Sequence, residues 1–461
     1  MKFTKFGKAL LMSALSVGVA LGITSCVQSY TVGFLYVTGT VTSQSTGNGI
    51  ISGFKVDHNT GNLVPIVGLP ISSGGANPSR AVLLNGGRFI YVLNQGVNAE
   101  GGSTCTSADP CTKSNITQFA IGGNGILSSQ QTFFTEGLNP FRLFVDTSAN
   151  YLYVLDHDSP ATISTASNPV SSSATNPNPS CGLTLGAGVV SCGDITAFKI
   201  DPTTGRLTLV VNSQVTSATG SALPYFPVPA NPIDFVLSTG FVLTLSGTPA
   251  TGDSVFPYTY NSSTGQLSVN QNSSQPLNVY NATAIVSTSF VYVLDSDPLT
   301  YTPVNTTTPV TVPSQILPFS VGSNGALQQQ TGGVVPGDAT LTNPIYLIAE
   351  SKGKWAYVAY QGNNNTTTGN PQSGIAGWVI DPSTHQLTPE IGAWGTGAGP
   401  VCLLEDPSDQ FIYTANFSDS TVTGRLLDQN AGVLDNLSGK ANRSFPLEGP
   451  AAWCMVTGRT S

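Results

Sequence analysis

The sequence predicts an all-β chain, a seven-bladed β-propeller of four-stranded antiparallel blades whose ring is closed by the C-terminal strand. Three observations predict it. A hairpin phrase recurs seven times, a strand phrase recurs seven times, and each unit is introduced by Asn-Pro, Gly-Pro or, once, Asn281-Ala282. A four-stranded sheet cannot bury both of its faces alone, whereas seven sheets stacked around an axis bury the faces between them and protect their edges.

The hairpin is clearest in "IDPTTGRLTLV" from Ile200. Pro202 sets a turn between two apolar runs, and Gly205 supplies the positive φ that a β-carbon resists. Longer copies begin at Val56, Tyr260 and Ile380, and shorter ones at Ile121, Val321 and Asp428. The strand phrase reads "FLYVTG" at Phe34, "FIYVLN" at Phe89, "YLYVLD" at Tyr151, "FVLTLS" at Phe241, "FVYVLD" at Phe290, "WAYVAY" at Trp355 and "FIYTAN" at Phe411. These β-branched and aromatic runs are too short for helices. Asn-Pro stands at Asn77, Asn139, Asn231 and Asn343, and Gly-Pro at Gly399 and Gly449, each followed by an apolar strand. The first unit lacks an inner strand and "AAWCMV" is left over at the end, so residues 451–456 are expected to complete the blade that begins near Phe34.

The N-terminus is of another kind. Lys2, Lys5 and Lys8 precede an apolar stretch over residues 9–22 that is short for a membrane span, and "ITSC" ends at Cys26. This is a secretory signal, and a cleavage site ending in cysteine resembles a bacterial lipobox. Residues 1–25 are expected to be the lipoprotein signal peptide, Cys26 the lipidated residue, 26–33 a short tether and 34–461 a single propeller. An ordinary cleaved signal with an incidental cysteine is the alternative. No acidic retention signal follows Cys26, which points to the outer membrane, on its periplasmic or surface side. No later segment is long and apolar enough to be a membrane-spanning helix.

Charged residues are 9% of the chain, against about 25% in typical soluble proteins, so solubility falls to Ser, Thr, Asn, Gln and Gly. The net charge is −8 and the pI about 4.7, with no basic track of the kind nucleic acid requires. In an exported chain, the neighbouring pairs Cys105 with Cys111 and Cys181 with Cys192 read as loop-closing disulfides. Cys402 and Cys454 lie in apolar strands and read as buried free thiols. No Cys-x-x-Cys, His-Glu-x-x-His, Gly-x-Ser-x-Gly or phosphate loop occurs. "DHDS" and "DSDP" offer oxygen atoms but no complete calcium loop. No metal and no cofactor is expected, and a monomer is.

The phrases "FIYVLN", "IDPTTGRL" and "NPFRLFVD" resemble those of YVTN-type propellers and of the seven-bladed lactonase family, which includes 6-phosphogluconolactonase and the carboxymuconate-lactonising enzyme. The resemblance covers nearly all of the chain after the signal and rests on packing and turn residues. It implies a channel ringed by arginine and acidic groups, with histidine near the starts of the inner strands.

In such a ring, the loops after the second and fourth strands of each blade share one face. Long second-strand loops, roughly residues 94–115, 156–194, 295–315 and 361–373, elaborate that face alone. Two residues past each Pro the repeats present Arg80, Arg142, Asp234, Ala284, Tyr346, Cys402 and Ala452. The second strands end in Gly39, Asn94, Asp156, Ser246, Asp295, Tyr360 and Asn416, and both sets are expected to rim the channel. Arg80 and Arg142 suit a bidentate grip on a carboxylate or phosphate, with Asp234, Asn94 and Asp295 as further ligand-binding candidates. Alternatively, the arginines pair with Asp156 or Asp234 and fill the channel. Lactone hydrolysis also needs a base, and no inner strand carries histidine. His58 and His385 fall in outer hairpins. His157, beside Asp156 in "LDHDSP", is the one histidine on the looped face, and these two are the catalytic candidates; as a loop residue between two aspartates, His157 is otherwise expected to be simply solvated. The leading expectation is therefore a lipid-anchored binding module for a small anionic ligand, glycan or protein. The alternative is a lactonase-like hydrolase opening a small anionic lactone.

Overall fold

The computed structural model describes residues 30–41, 48–84, 86–98, 105, 111–159, 183–185, 189–191, 193–216, 222–247, 252–268, 274–303, 305–330, 332–363, 373–437 and 444–458. Cys26 and the signal, and the Cys181–Cys192 pair, lie outside them. The described residues form seven antiparallel sheets of four or five strands and contain no α-helix.

Blade 1 joins the two ends of the chain. Its inner strand is Ala451–Gly458, paired with Thr31–Thr40, then Asn48–Asp57, then the outer Leu63–Pro65 and Ile71–Ala76. Closure by the C-terminal strand is as the strand count requires, and the second strand begins at Thr31, inside the stretch assigned to the tether. Blades 2 to 6 follow, with inner strands Pro78–Leu83, Leu138–Val145, Pro232–Ser238, Ala282–Ser287 and Pro344–Ala349. In blade 7 the corresponding strand is short, Leu404–Glu405, extended by a bridge between Pro400 and Asn416. Extra hairpins sit in the second-strand loops: Leu183–Leu185 with Val189–Ser191 in blade 3, and Leu299–Tyr301 with Val310–Val312 in blade 5.

Seven apolar clusters fill the molecule, one between each pair of neighbouring blades. The two recurrent phrases meet at these boundaries. The tyrosine of the strand phrase donates its hydroxyl hydrogen to the hairpin of the next blade: Tyr36 to Gly125 O at 2.8 Å, Tyr91 to Gly205 O at 2.5 Å and Tyr153 to Gly265 O at 2.8 Å. Tyr292 reaches His385 O, Tyr357 reaches Gly432 O and Tyr413 reaches Gly61 O, at 3.0, 2.7 and 2.7 Å. Blade 4 has Leu243 at this place, and Gln275 Nε2 reaches Gly325 O instead, at 3.5 Å.

Glycine at the hairpin serves two needs. Gly205 has φ 68°, and a β-carbon there would come within 2.8 Å of the Phe89 ring. His385 is the exception, with φ 55° and its ring stacked on Phe290 at 4.6 Å. The first aromatic residue of the strand phrase and the hairpin glycine are thus a matched set.

A correction concerns two cysteines. Cys402 and Cys454, expected as free thiols, form a disulfide between the inner segment of blade 7 and the closing strand of blade 1. The two β-carbons meet because neighbouring inner strands converge on the axis, a proximity that a 52-residue separation conceals. Cys105 and Cys111 are also joined, with their α-carbons 5.2 Å apart.

Candidate functional site

Five of the seven blades enter their inner strands through the same backbone device. Asn77, Asn139, Asn231 and Asn343 have φ between 50° and 59°, and Gly399 has φ 68°. Asparagine tolerates this left-handed region better than most residues, and the following proline then fixes the extended direction. Immediately afterwards the ladder skips a residue, as between Pro78 and Arg80, which pair with Asn94 and Leu93. Such bulges re-aim side chains at sheet rims. Here they bring Ser79, Arg80, Arg142, Thr283, Val401 and Trp453 around a cavity of about 210 Å³ at the channel mouth.

Ala452 also lines this cavity, but the residue in register with Arg80 is Trp453. Ala451 takes the place opposite Gly39 that proline takes in five of the other six blades, and Trp453 pairs with Thr38 as Arg80 pairs with Leu93. Sequence spacing counted from Pro450 misses this by one residue.

Arg80 is 8% exposed. Its guanidinium lies 3.5 Å from the centre of the Trp453 ring and 5.9 Å from that of Tyr346. Burial, and then the charge of Arg142, push its pKa down to about 9, while Asp234 acts in the opposite sense. Arg142 is more accessible, its side chain 27% exposed, with Nε 3.4 Å from Asp234 Oδ1. Its Nη1 donates to Phe141 O at 3.2 Å. Asp234 also accepts the backbone N–H groups of Phe235 and Ile285 at 3.0 and 3.3 Å, so it is fastened to two blades. Two guanidinium groups face one carboxylate, which leaves one net positive charge at the mouth.

A second, larger depression of about 760 Å³ adjoins the first, and Thr283 lines both. Its walls include His157, Asn231, Tyr280, Asn281, Ser296 and Asn343. The asparagines that shape the strand entries thus also furnish amide donors and acceptors to the wall. Asp253, buried beneath, accepts the Ala282 N–H at 2.7 Å.

His157 is not in a loop, and it is only partly exposed. The second strand of blade 3 runs to Asp158, and the imidazole lies half-buried and flat on Phe141, with ring centres 3.7 Å apart. Burial pushes its pKa down to about 4, Arg142 adds to the effect, and Asp158 opposes it. The ring is therefore neutral at neutral pH.

The second-strand termini are not rim residues. Asn94, Asp156 and Asp295 are fully buried between blades. Asn94 Oδ1 accepts from Ser73 Oγ at 2.6 Å, and its Nδ2 donates to Asn115 Oδ1 at 2.9 Å. Asp295 accepts from Gln315 Nε2 at 2.7 Å, and burial raises its pKa to about 6. Asp156 accepts from Thr135 Oγ1 at 3.0 Å and lies across the ladder from Asp194. Alternation along the strand explains the split: His157 turns to the depression, and Asp156 turns to the blade boundary. Of the expected candidates, the structure brings together Arg80, Arg142 and Asp234, places His157 next door, and sets Asn94, Asp156 and Asp295 apart.

No protein-family model matches the sequence, and no curated protein sequence does. Solved structures do match over almost the whole chain. A putative 6-phosphogluconolactonase from Bacteroides fragilis superposes with a TM-score of 0.60 at 14% identity, covering 92% of this chain and 98% of that one. A putative 6-phosphogluconolactonase from Bacteroides uniformis gives 0.60 at 13%, covering 93% and 100%. A periplasmic gluconolactonase from Pseudomonas aeruginosa gives 0.59 at 15%, covering 92% and 99%. The chain has the seven-bladed fold of these lactonase-like propellers.

Proposed function

We propose that the chain is a lactonase-type hydrolase whose looped-face depression binds a small polyhydroxylated lactone, and that it acts in the cell envelope, anchored through Cys26. The observation that carries this reading is the placement of a neutral His157 beside Arg142 at two adjoining cavities on one face. The amide-lined depression suits hydroxyl groups. The single net positive charge suits a carboxylate, or the oxyanion formed from a lactone carbonyl, better than a doubly charged phosphate. The proteins similar in fold include ones named as gluconolactonase and putative 6-phosphogluconolactonase.

The chemistry asks little of the residues. His157 takes a proton from water as the water oxygen adds to the lactone carbonyl, and Arg142 lies closest to the developing negative charge. The ring C–O bond then breaks, and the departing alkoxide receives the proton from His157, leaving a hydroxy acid. An imidazole with a pKa of about 4 is a weak base, so modest rates are expected. That same weakness, and the stacking on Phe141, favour a second reading, in which the site binds a hydroxy acid without turnover. A pH-stat assay with glucono-δ-lactone, beside calorimetry with gluconate, separates the two. Lactone opening that disappears in both His157→Ala and Arg142→Ala supports the hydrolase. Gluconate binding with no excess lactone opening leaves the binding module, and neither signal removes both.

A further inference from the structure

We propose that Trp453 is the positioning residue for Arg80 and that the Cys402–Cys454 bond holds it in place, so that the anion-binding arm is complete only when the C-terminal strand has closed the ring. The inference rests on the reading of the channel mouth as an anion site. Among the described residues, no carboxylate lies within ion-pair distance of Arg80. Its guanidinium is held instead by the face of Trp453, at 3.5 Å, and Tyr346 packs edge-on against the same indole, with ring centres 5.1 Å apart at 90°. Stacking engages the flat face of a guanidinium and leaves the N–H donors around its edge free. A carboxylate partner would consume those donors. An aromatic one keeps a buried cation in place with its hydrogen-bonding edge available to a ligand in the 210 Å³ cavity.

The platform belongs to the last strand of the chain. Trp453 pairs with Thr38, and Arg80 lies on the inner strand of blade 2, so indole and guanidinium meet only after closure. Cys454 is the next residue. Its bond to Cys402 ties the closing strand to blade 7, on the side away from Arg80. Both cysteines are buried, at 1% and 5% exposure, so reductant reaches the bond only when the ring opens. This is a structural latch, suited to an oxidising compartment.

The test uses the purified mature protein. Peptide mapping without reductant should recover a Cys402–Cys454 cross-link, and free thiols at both positions would overturn the latch. The Cys402→Ala/Cys454→Ala variant should melt several degrees lower than the parent, and Cys105→Ala/Cys111→Ala much less so; equal melting of parent and latch variant would also overturn it. For the platform, Arg80→Ala and Trp453→Ala should be non-additive in melting temperature, and strict additivity refutes the positioning role. With gluconate as the probe, Trp453→Ala should weaken binding about tenfold, while Trp453→Phe keeps most of it. If the alanine variant does not fold, Trp453→Leu against Trp453→Phe gives the same contrast, and equal affinities there count against the platform. A parent protein that neither opens the lactone nor binds gluconate removes the proposed function, and the melting cycle still judges the platform and the latch.

Discussion

The hydroxyl of Tyr91 donates to the carbonyl oxygen of Gly205, a hairpin residue of the neighbouring blade 114 positions later, at 2.5 Å. The glycine is there because its backbone is left-handed and the Phe89 ring leaves no room for a β-carbon. One strand phrase and one hairpin phrase thus make a single inter-blade joint, repeated around the ring.

Breaking that joint should cost stability without touching the channel. Tyr91→Phe leaves a buried carbonyl without its partner, and a loss of about 1–2 kcal/mol is expected. Gly205→Ala strains a positive φ and pushes against Phe89 and Gln118, for a loss of about 2–4 kcal/mol. Urea titration checks both. The order matters: a glycine variant less damaging than the phenylalanine variant contradicts the matched-set account.

The two phrases of this joint, though not their contact, were visible in the sequence because turn chemistry and strand composition are local, and seven copies expose what one would hide. Ring closure was visible for the same reason, as a count of strands. The site was less legible. Trp453 was missed because Ala451 replaces proline opposite Gly39, which shifts the spacing by one. Asn94 and Asp295 end strands in the same way whether they face a channel or a neighbouring blade, and only packing tells these apart. His157 was misplaced because the strand continues past the aspartate that seemed to end it. The Cys402–Cys454 bond depends on distance between strands, which composition does not encode.

Membrane anchoring is a separate expectation, drawn from residues 1–26. Cys26→Ser should move the protein from the membrane fraction to the soluble fraction, with the fold intact. Intact mass of the parent should show a covalent lipid on Cys26. A variant that partitions as the parent does would leave the anchor unexplained by that cysteine.

Asp156 and Asp194 give a pH-dependent stability of defined sign. The two carboxyls face each other across one ladder and are fully buried. Burial raises Asp156 to about 8 and Asp194 well above the usual carboxylate range, with Asp158 and Glu136 adding like charge. In the unfolded chain both lose their protons near pH 4. Between there and about pH 8 the folded state holds more protons than the unfolded state, so stability falls as pH rises. The slope has an upper limit of about 1.4 kcal/mol per pH unit for each retained proton. Asp156→Asn should flatten the slope and melt higher than the parent at pH 8.5, with little difference at pH 5. Asp295, Glu390 and Glu405 are also raised, to about 6, 7 and 7, so the difference between parent and variant, rather than the parent's slope alone, reports on the pair.

Arg142 and Asp234 make opposite predictions at the channel mouth, and the contrast tests the charge argument. Arg142 is the more exposed of the two arginines and sits between Phe141 and Asp234. Removing it takes away a charge-assisted contact to a bound carboxylate, so Arg142→Ala should weaken gluconate binding about tenfold to a hundredfold. Arg80 alone then faces Asp234, and the mouth becomes neutral overall. Asp234→Asn does the reverse. It preserves an acceptor oxygen for a backbone N–H and raises the net charge at the mouth from one to two. Gluconate should then bind as well or better, and 6-phosphogluconate should gain more, because its phosphate adds negative charge for the extra positive charge to meet. The two ligands, measured against parent and variant by calorimetry at fixed ionic strength, give the preference directly. If Asp234→Asn weakened both ligands alike while the melting temperature stayed unchanged, the carboxylate would be assisting binding rather than limiting the charge. The single-charge account of the mouth would then be wrong.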